Sequence, residues 1–432
     1  MISKICVAVA LSAAVFPGFA ASGGDVVPGR PALAPAAAAA PVAAFSLAAL
    51  RDMARATHPS LAAADAYVEA GQAQLTTAAA YPNPDVEFLA GRSQARLPGA
   101  VDGSVRSLAL TQRLDNPWQR EARLDAARFG LEAREAERRG LRNDLLARLD
   151  QRFFDMLRRQ AELRASQEDL GIAEQIRSKV AVRVNTGESP RFELIKADTE
   201  LLNAQKAAES ASLRIAQARA ALRSVVGPTL PADFQVDGSL TRSPVVPPLD
   251  ELRADVLARN PELLRSQAEV RRAERQLELE RLRRQPELAL KVANERDREL
   301  NDTRLGLVVN VPIWDRRQGP VAEAAALLSR SRSEEASQQL ALLQSLEGAY
   351  REYEIARTQV NALENGILRE AESTMKVAEA AYRFGERGIL EYLDAQRVFR
   401  AARNELIAAR YALQLAVIEI ERLRAANLED SQ

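Results

Sequence analysis

The chain has few of the residues from which catalytic and metal sites are usually built. Its 432 residues include one cysteine, Cys6, and one histidine, His58, and only 5% are aromatic. Tight binding of soft metals needs clustered Cys, His or Met, but Met53, Met156 and Met375 are scattered. No nucleophile–base pair or phosphate-binding glycine loop stands out either. We therefore predict a protein that is not an enzyme and has no cofactor, metal site or disulfide.

An excess of either charge is also missing. The 59 Lys and Arg residues balance the 59 Asp and Glu residues, so the net charge gives no support to nucleic-acid binding. Charged residues nevertheless make up 27% of the chain, which with the low aromatic content favours long solvated helices. Outside the N-terminal leader no apolar run is long enough for a transmembrane helix.

The N-terminus has the pattern of a secretory signal peptide, predicted over 1–20. Lys4 precedes an apolar stretch at 5–16, and small residues at 18–20 allow cleavage. A buried N-terminal helix is the alternative. Residues 21–44 are rich in Ala and Pro and are predicted to be flexible. The pattern indicates an exported protein.

Two halves of the chain repeat the same order of signals. Gly187 and Gly385 lie 198 positions apart, and so do Glu193 and Glu391. Prolines near the start of each half recur with an offset of 202, so one small insertion or deletion separates the halves. The predicted organisation is a first repeat at 45–227, a Pro-rich linker at 228–248, a second repeat at 249–426 and a tail at 427–432.

Each half contains two segments of alternating hydrophobicity, predicted as strands over about 84–94 and 105–114 and over about 286–295 and 303–312. In the last of these, Leu305, Leu307 and Val309 share one face. Strands of about nine to eleven residues cross a bilayer when tilted in a barrel. Two soluble hairpins packed on helices are the alternative.

Long helices are predicted after each strand pair, which makes the fold mainly α with a small β part. From Pro117 to Gly187 is about 70 residues, or roughly 105 Å at 1.5 Å per residue. The returning helices carry a heptad seam, typical of helix-on-helix packing. The seam positions are Leu201, Ala204, Ala208, Ala211, Ile215, Ala218, Leu222 and Val225, and Tyr392, Ala395, Phe399, Ala402, Leu406, Ala409, Leu413, Ala416, Ile420 and Leu423.

Four strands cannot close a barrel, and an open sheet edge in lipid would leave backbone groups unpaired. Three copies of the chain would supply twelve strands, an even number wide enough for a lumen. We therefore predict a homotrimer.

A short segment near the C-terminus combines turn and charge signals. Tyr382-x-x-Gly385-x-Arg387 is followed by Glu391 and Asp394, whose spacing puts both carboxylates on one helix face. These acids are candidates for a cation-favouring ring around a pore, and ordinary solvated acids are the alternative. Three glycines of the two tips, Gly187, Gly385 and Gly388, are predicted turn residues with positive φ. Trp118 and Trp314 follow strands, where an aromatic girdle or packing at a helix start would place them.

With its duplicated helix–hairpin–helix plan and this tip segment, the chain resembles the TolC-type outer membrane efflux proteins. Residues 311–319 (VPIWDRRQG) and 187–197 (GESPRFELIKA) look most like the CzcC-type branch, which exports cobalt, zinc and cadmium. The resemblance implies a trimeric channel in the outer membrane of a Gram-negative bacterium, with a twelve-stranded barrel above a helical barrel that crosses the periplasm. It also implies a periplasmic adaptor and an inner-membrane pump of the resistance-nodulation-division type as partners.

The resemblance also assigns roles to individual residues. Glu391 and Asp394 would line the pore constriction, and Tyr382 and Arg387 would link helix pairs when the gate is closed. Adaptor docking at the helical tips would involve the residues Gly187, Glu188, Gly385 and Gly388. Drug efflux and type I secretion channels would share most of these features. A periplasmic coiled-coil scaffold or adaptor without a pore is the rival from another class, but it does not explain the four strands.

Overall fold

The computed structural model describes residues 43–94, 99, 102–241 and 245–426. The predicted signal peptide and the tail at 427–432 lie outside these residues. The helices are α1 (Leu47–Thr57), α2 (Pro59–Ala79), α3 (Pro117–Asn185), α4 (Arg191–Val226), α5 (Leu249–Arg259), α6 (Pro261–Leu282), α7 (Gln318–Ala362), α8 (Leu368–Arg383) and α9 (Ile389–Leu423). The strands are β1 (Ala44–Phe45), β2 (Asp85–Ser93), β3 (Gly103–Arg113), β4 (Gln235–Val236), β5 (Glu287–Arg296) and β6 (Asn301–Asn310).

Helix α3 is the longest element, with 69 residues. The Asn116 side chain accepts a hydrogen bond from the backbone N–H of Trp118, and Pro117 occupies the first turn, where its missing N–H costs nothing. The helix continues until the turn at Gly187, as the absence of proline after Pro117 predicts. Within the described residues, no helix combines the length and apolarity needed to cross a bilayer.

The main sheet has four antiparallel strands in the order β2-β3-β5-β6. Its strand bounds agree with the predicted ones to within two residues, because strict alternation on a two-sided sheet is a strong signal. The register pairs Val86 with Leu110, Leu110 with Val292, and Val292 with Leu305, so one face carries an apolar band across all four strands. The β2 and β6 edges have no partner strand among the described residues.

The helical core lies along the predicted seam. Every seam position of α9 is buried except Phe399, which is half-buried. In α4 the seam shifts by one position at its end, where Val226 is fully buried and Val225 only half-buried. One cluster joins α5, α7 and α9, and another joins α1, α3 and α4. Each repeat therefore packs its own returning helix.

The predicted linker and flexible N-terminal segment are partly ordered. Leu230 and Phe234 are 1% and 0% exposed, and Phe234 contacts the Phe45 ring edge-on at 6.2 Å. Strand β4, within the linker, pairs in parallel with β1, whose first residue belongs to the segment predicted as flexible. The prediction of flexibility was therefore wrong for Ala44, which is ordered by its pairing with β4. The linker itself is docked on the core by two apolar side chains, which is compatible with its predicted role of joining the repeats.

The second long helix is not continuous, although its sequence contains no proline after Pro320. A π-helical turn, Leu363–Ile367, separates α7 from α8. Glu364 in this turn accepts a hydrogen bond from Nε of Arg410 on α9 at 2.7 Å. A single π-helical turn cannot be predicted from hydrophobic periodicity, because one wide turn shifts the pattern of apolar residues only locally.

Candidate functional site: the paired helical tips

The two hairpin tips have the same backbone turn. Gly187 and Gly385 have φ values of +81° and +76°, in the left-handed region that favours glycine. In the first tip the backbone N–H of Glu188 donates to the Arg183 carbonyl at 2.8 Å, and the equivalent bond in the second tip measures 2.9 Å. This is the Schellman pattern, which satisfies carbonyls left free at the end of a helix. The predicted duplication therefore extends to the hydrogen bonds of the turn.

The prediction of positive φ was wrong for Gly388. Its φ and ψ are −76° and 162°, an extended conformation, and it is the residue that precedes α9. The corresponding residue in the first repeat is Pro190, with φ −73° and ψ 146°. A position that proline occupies in one repeat does not require glycine in the other. The extended conformation of Gly388 could have been predicted from the sequence, because Pro190 lies 198 residues before it at the equivalent position of the first repeat.

An apolar cluster holds the two tips together. Tyr382 is 5% exposed, and its ring stacks on Tyr392 at 6.1 Å with an interplanar angle of 11°. Burial raises the pKa of Tyr382, and it raises the pKa of Tyr392 to about 12, with Glu379 contributing. The buried members of the cluster come from α3, α4, α8 and α9, and they are Ile176, Val180, Ala197, Tyr382, Ile389, Tyr392 and Leu393.

Arg183 makes polar contacts between the tips, and it is not among the residues predicted from the sequence. Its guanidinium carbon lies 4.7 Å from the centre of the Tyr382 ring. Nη1 donates to the Tyr382 carbonyl and Nη2 to the Arg383 carbonyl, each at 3.3 Å. A cation of α3 thus lies at the C-terminus of α8, where the helix dipole favours it. The only sequence feature that could have indicated this contact is the presence of a basic residue in the last helical turn before Gly187.

Tyr382 and Arg387, predicted together as gate links, have different surroundings. Tyr382 does contact the other tip through Arg183. Arg387 instead donates from Nη1 to Glu391 Oε2 at 2.6 Å, within its own turn and helix. This hydrogen bond is the largest cause that raises the pKa of Arg387. In the described chain, only one of the two residues bridges the hairpins.

Glu391 and Asp394 lie side by side at the start of α9, on its exposed face. Their side chains are 53% and 68% exposed. Asp394 Oδ1 accepts a hydrogen bond from Nη1 of Arg397 at 3.1 Å, so each carboxylate is paired with an arginine close in sequence. The equivalent of Asp394 in the first repeat is Lys196, so only the second repeat supplies two acids. The described residues contain no group of three His, Cys, Asp or Glu that could hold a metal ion.

Further from the tip, two arginines of α9 join the two hairpins. Arg403 Nη2 donates to Asp169 Oδ2 at 2.7 Å and to the Ala165 carbonyl at 3.1 Å on α3. Arg400 pairs with Glu200 on α4. Burial is the largest cause that raises the pKa of Asp169, although the adjacent Arg403 opposes it. The tips are therefore tied to each other by charged as well as apolar contacts.

At the other end of the helices, the sheet separates polar from apolar side chains. The face opposite the apolar one carries cross-strand charge pairs, including Lys291 with Glu87 at 3.6 Å. Trp118 and Trp314 lie where this sheet meets the helices, and they are 64% and 94% exposed. Trp314 is therefore not packed at a helix start, whereas Trp118, the second residue of α3, lines a cavity together with Pro117 and Leu279.

Comparison with known proteins agrees with this architecture. The chain is 25% identical over 413 residues, 94% of its length, to the cobalt-zinc-cadmium resistance protein CzcC of Cupriavidus metallidurans strain CH34, 96% of which is covered. The CusC crystal structure matches with a TM-score of 0.77 at 20% identity, over 88% of this chain and 91% of that chain. The outer-membrane channel OprN matches with 0.76 at 17% identity, over 88% and 89%.

The open state of the MtrE outer membrane channel of Neisseria gonorrhoeae matches with a TM-score of 0.72 at 18% identity, over 88% of each chain. These likenesses support the duplicated channel fold. The family model described as outer membrane efflux protein matches residues 50–228 and 252–426, one segment for each predicted repeat. The chain therefore belongs to the outer membrane efflux protein family, whose members are Gram-negative outer membrane transport channels and not enzymes.

Proposed function

We propose that this chain is the outer membrane duct of a tripartite efflux system that exports divalent heavy-metal cations. It would act as a homotrimer, with a periplasmic adaptor and an inner-membrane pump of the resistance-nodulation-division type. The observation that carries the metal assignment is the similarity to the CzcC resistance protein along nearly all of both chains. The absence of a metal-binding cluster from the described residues is compatible with this role, because a duct must release its cargo.

The two free sheet edges support the trimer. Unpaired backbone groups of β2 and β6 would each cost several kcal/mol in lipid. Pairing β2 of one copy with β6 of the next satisfies both edges, and three copies give twelve strands. The apolar face would then meet lipid and the charged face the lumen, with Trp118 and Trp314 at the inner membrane boundary.

The tip residues would form the constriction and the docking surface. In a trimer, Glu391 and Asp394 supply six carboxylates at the end of the tunnel, and their exposed pairing with arginines leaves them accessible to cations. Tyr382 and Arg387 would stabilise the closed tips. The turns at Gly187, Glu188, Gly385 and Gly388 would meet the adaptor.

A strain in which the gene is deleted tests the assignment. We expect growth to become more sensitive to Co²⁺, Zn²⁺ and Cd²⁺, and the intact gene to restore resistance. Sensitivity to hydrophobic drugs should not change. A strain that becomes sensitive to drugs and not to metals would contradict the proposed cargo and leave the channel assignment intact.

Single-channel recording in a planar bilayer tests the constriction. We expect Glu391→Gln with Asp394→Asn to lower the cation-over-anion permeability ratio, because six carboxylates would leave the pore. The matched control is Glu334→Gln with Glu354→Gln, which removes two acids that pair with arginines of their own helix, α7, away from the tip. Equal permeability ratios in the tip variant and the unaltered protein would refute the assignment.

A further inference from the structure

Three arginines interrupt the apolar face of the sheet at the end furthest from the helices. The register pairs Ala90 with Arg106, and Arg106 with Arg296. Arg92 lies two residues beyond Ala90 and so points to the same side of the sheet. The three side chains are therefore neighbours on three adjacent strands, and all three residues are exposed.

Among the residues that the structure describes, these arginines have no acidic partner. Throughout the described ranges, no salt bridge or side-chain hydrogen bond involves Arg92, Arg106 or Arg296. Like charges directly opposite each other on neighbouring strands are destabilising, with Cβ atoms only about 4.5–5.5 Å apart. Because the described residues offer no counter-charge to this arrangement, an anion from outside the chain would relieve the repulsion.

The opposite face of the same strands behaves differently. Arg113 on β3 lies 3.6 Å from Asp85, and Arg304 on β6 lies 2.6 Å from Asp302. Arginines on the charged face thus have acidic partners, whereas those on the apolar face have none among the described residues. Whether an arginine of the sheet has an acidic partner therefore depends on the face that it occupies and not on the strand that carries it.

The position of the three arginines identifies the source of the anion. Going outward along β5, the same face carries Leu290, Val292, Asn294 and then Arg296, so an apolar band is followed by a polar residue and a cation. In an outer membrane protein this face meets lipid, and its end away from the periplasmic helices lies at the outer leaflet. Arginines at that depth extend their stems along the apolar band and their guanidinium groups into the headgroup layer.

We propose that Arg92, Arg106 and Arg296 form a binding site for the phosphate groups of a phosphorylated glycolipid in the outer leaflet. The guanidinium fork matches two phosphate oxygens, and several arginines around one phosphate remove the repulsion between them. The site would fix the height of the barrel in the membrane. Soluble anions are a poorer match, because the site faces the lipid and not the lumen.

Native mass spectrometry of the purified full-length protein tests the site. The probes are bisphosphorylated lipid A and the same lipid A from which both phosphates have been removed. We expect the bisphosphorylated form to bind more tightly, and Arg106→Gln with Arg296→Gln to weaken its binding roughly 25-fold, since each arginine near a charged lipid surface is worth about fivefold. Arg106→Lys with Arg296→Lys should keep part of the binding, which separates charge from misfolding.

The control variant is Arg113→Gln with Arg304→Gln, which removes two charges from the opposite face of the same sheet. We expect it to bind lipid A as the unaltered protein does. Equal loss in both double variants, or equal binding of the two lipid forms, would overturn the proposal. Displacement of lipid A by millimolar inorganic phosphate would also overturn it, because the site would then be one for a soluble ion.

Discussion

At the scale of single residues, the two glycines of the second tip have different physical roles. Gly385 adopts φ +76°, whereas Gly388 has a backbone that any residue, including proline, can adopt. The neighbouring sequence does not separate them. Only the comparison with Pro190 in the first repeat does so.

We expect Gly385→Ala to destabilise the tip by about 1–2 kcal/mol, because a Cβ is unfavourable in the left-handed region. Amide hydrogen exchange at Glu386, whose N–H donates to the Ala381 carbonyl, should accelerate about 5- to 30-fold. The control is Gly388→Pro, which reproduces the first repeat and should leave this rate within about fivefold of the original. Faster exchange in the proline variant alone would contradict this account of the turn.

The buried Tyr392 phenol predicts a loss of tip stability at high pH. Its pKa is raised from the ordinary 10.0 to about 12 by burial, so the folded tip favours the neutral form. The stabilisation is complete below pH 10 and is lost as the pH rises towards 12. The tyrosinate absorbance of the original protein minus that of Tyr392→Phe should titrate near pH 12. A difference titrating near pH 10 would show that the ring is solvated.

Much of the tip could be predicted from sequence, but the contact between the tips could not. Gly187, Gly385 and the acids of α9 follow from spacing and offset, which are local properties of the chain. Arg183 and Tyr382 are 199 positions apart. Nothing in a single sequence shows that they meet, since side-chain contacts between distant helices depend on how the hairpins pack.

At the scale of elements, the four main strands could be predicted closely because each carries its own alternating pattern. The short strands β1 and β4 could not, since two residues are too few to show a period. The π-helical turn also went unpredicted. An element whose hydrophobic pattern repeats over many residues can therefore be predicted from the sequence, whereas a strand of two residues or a single π-helical turn cannot.

The two faces of β2 give a direct test of the lipid-facing surface. Phe88 lies on the apolar face and Leu89 on the charged one, and both are exposed in the single chain. We expect Phe88→Arg to destabilise the protein by about 2–4 kcal/mol in lipid vesicles, the cost of a lipid-facing arginine near the bilayer midplane. Leu89→Arg should cost much less, because that side chain would face water. Guanidinium unfolding from vesicles measures both, and a larger loss for Leu89→Arg would reverse the assigned faces.

At the scale of the whole molecule, the described four-stranded sheet is an open sheet and not a closed barrel. The long helices pack into several apolar clusters within one chain, but the described sheet ends in two free edges. The sequence predicts this incompleteness from strand number alone. It cannot show which surfaces of the helices meet a neighbouring copy, because many apolar helix residues are exposed singly.

Mass measurement of the detergent-extracted particle tests the assembly. We expect a protein mass three times that of the mature chain, since three copies complete a twelve-stranded barrel. Light scattering measures this mass once the contribution of the detergent has been subtracted. As a control for aggregation, the protein is transferred into lipid discs and its mass is measured again. A monomeric mass in both conditions would remove the trimer and with it the ring of six carboxylates.

The equivalence of the two tip turns has an evolutionary consequence. Since Gly187 and Gly385 close their turns with the same hydrogen bonds, the backbone places no demand on the charged residues that follow. At the equivalent position after the turn, the two repeats differ in charge: the first carries Lys196 and the second Asp394. A duplicated turn of this kind allows the charge beside each tip to change between repeats while the hairpin still ends in the same way.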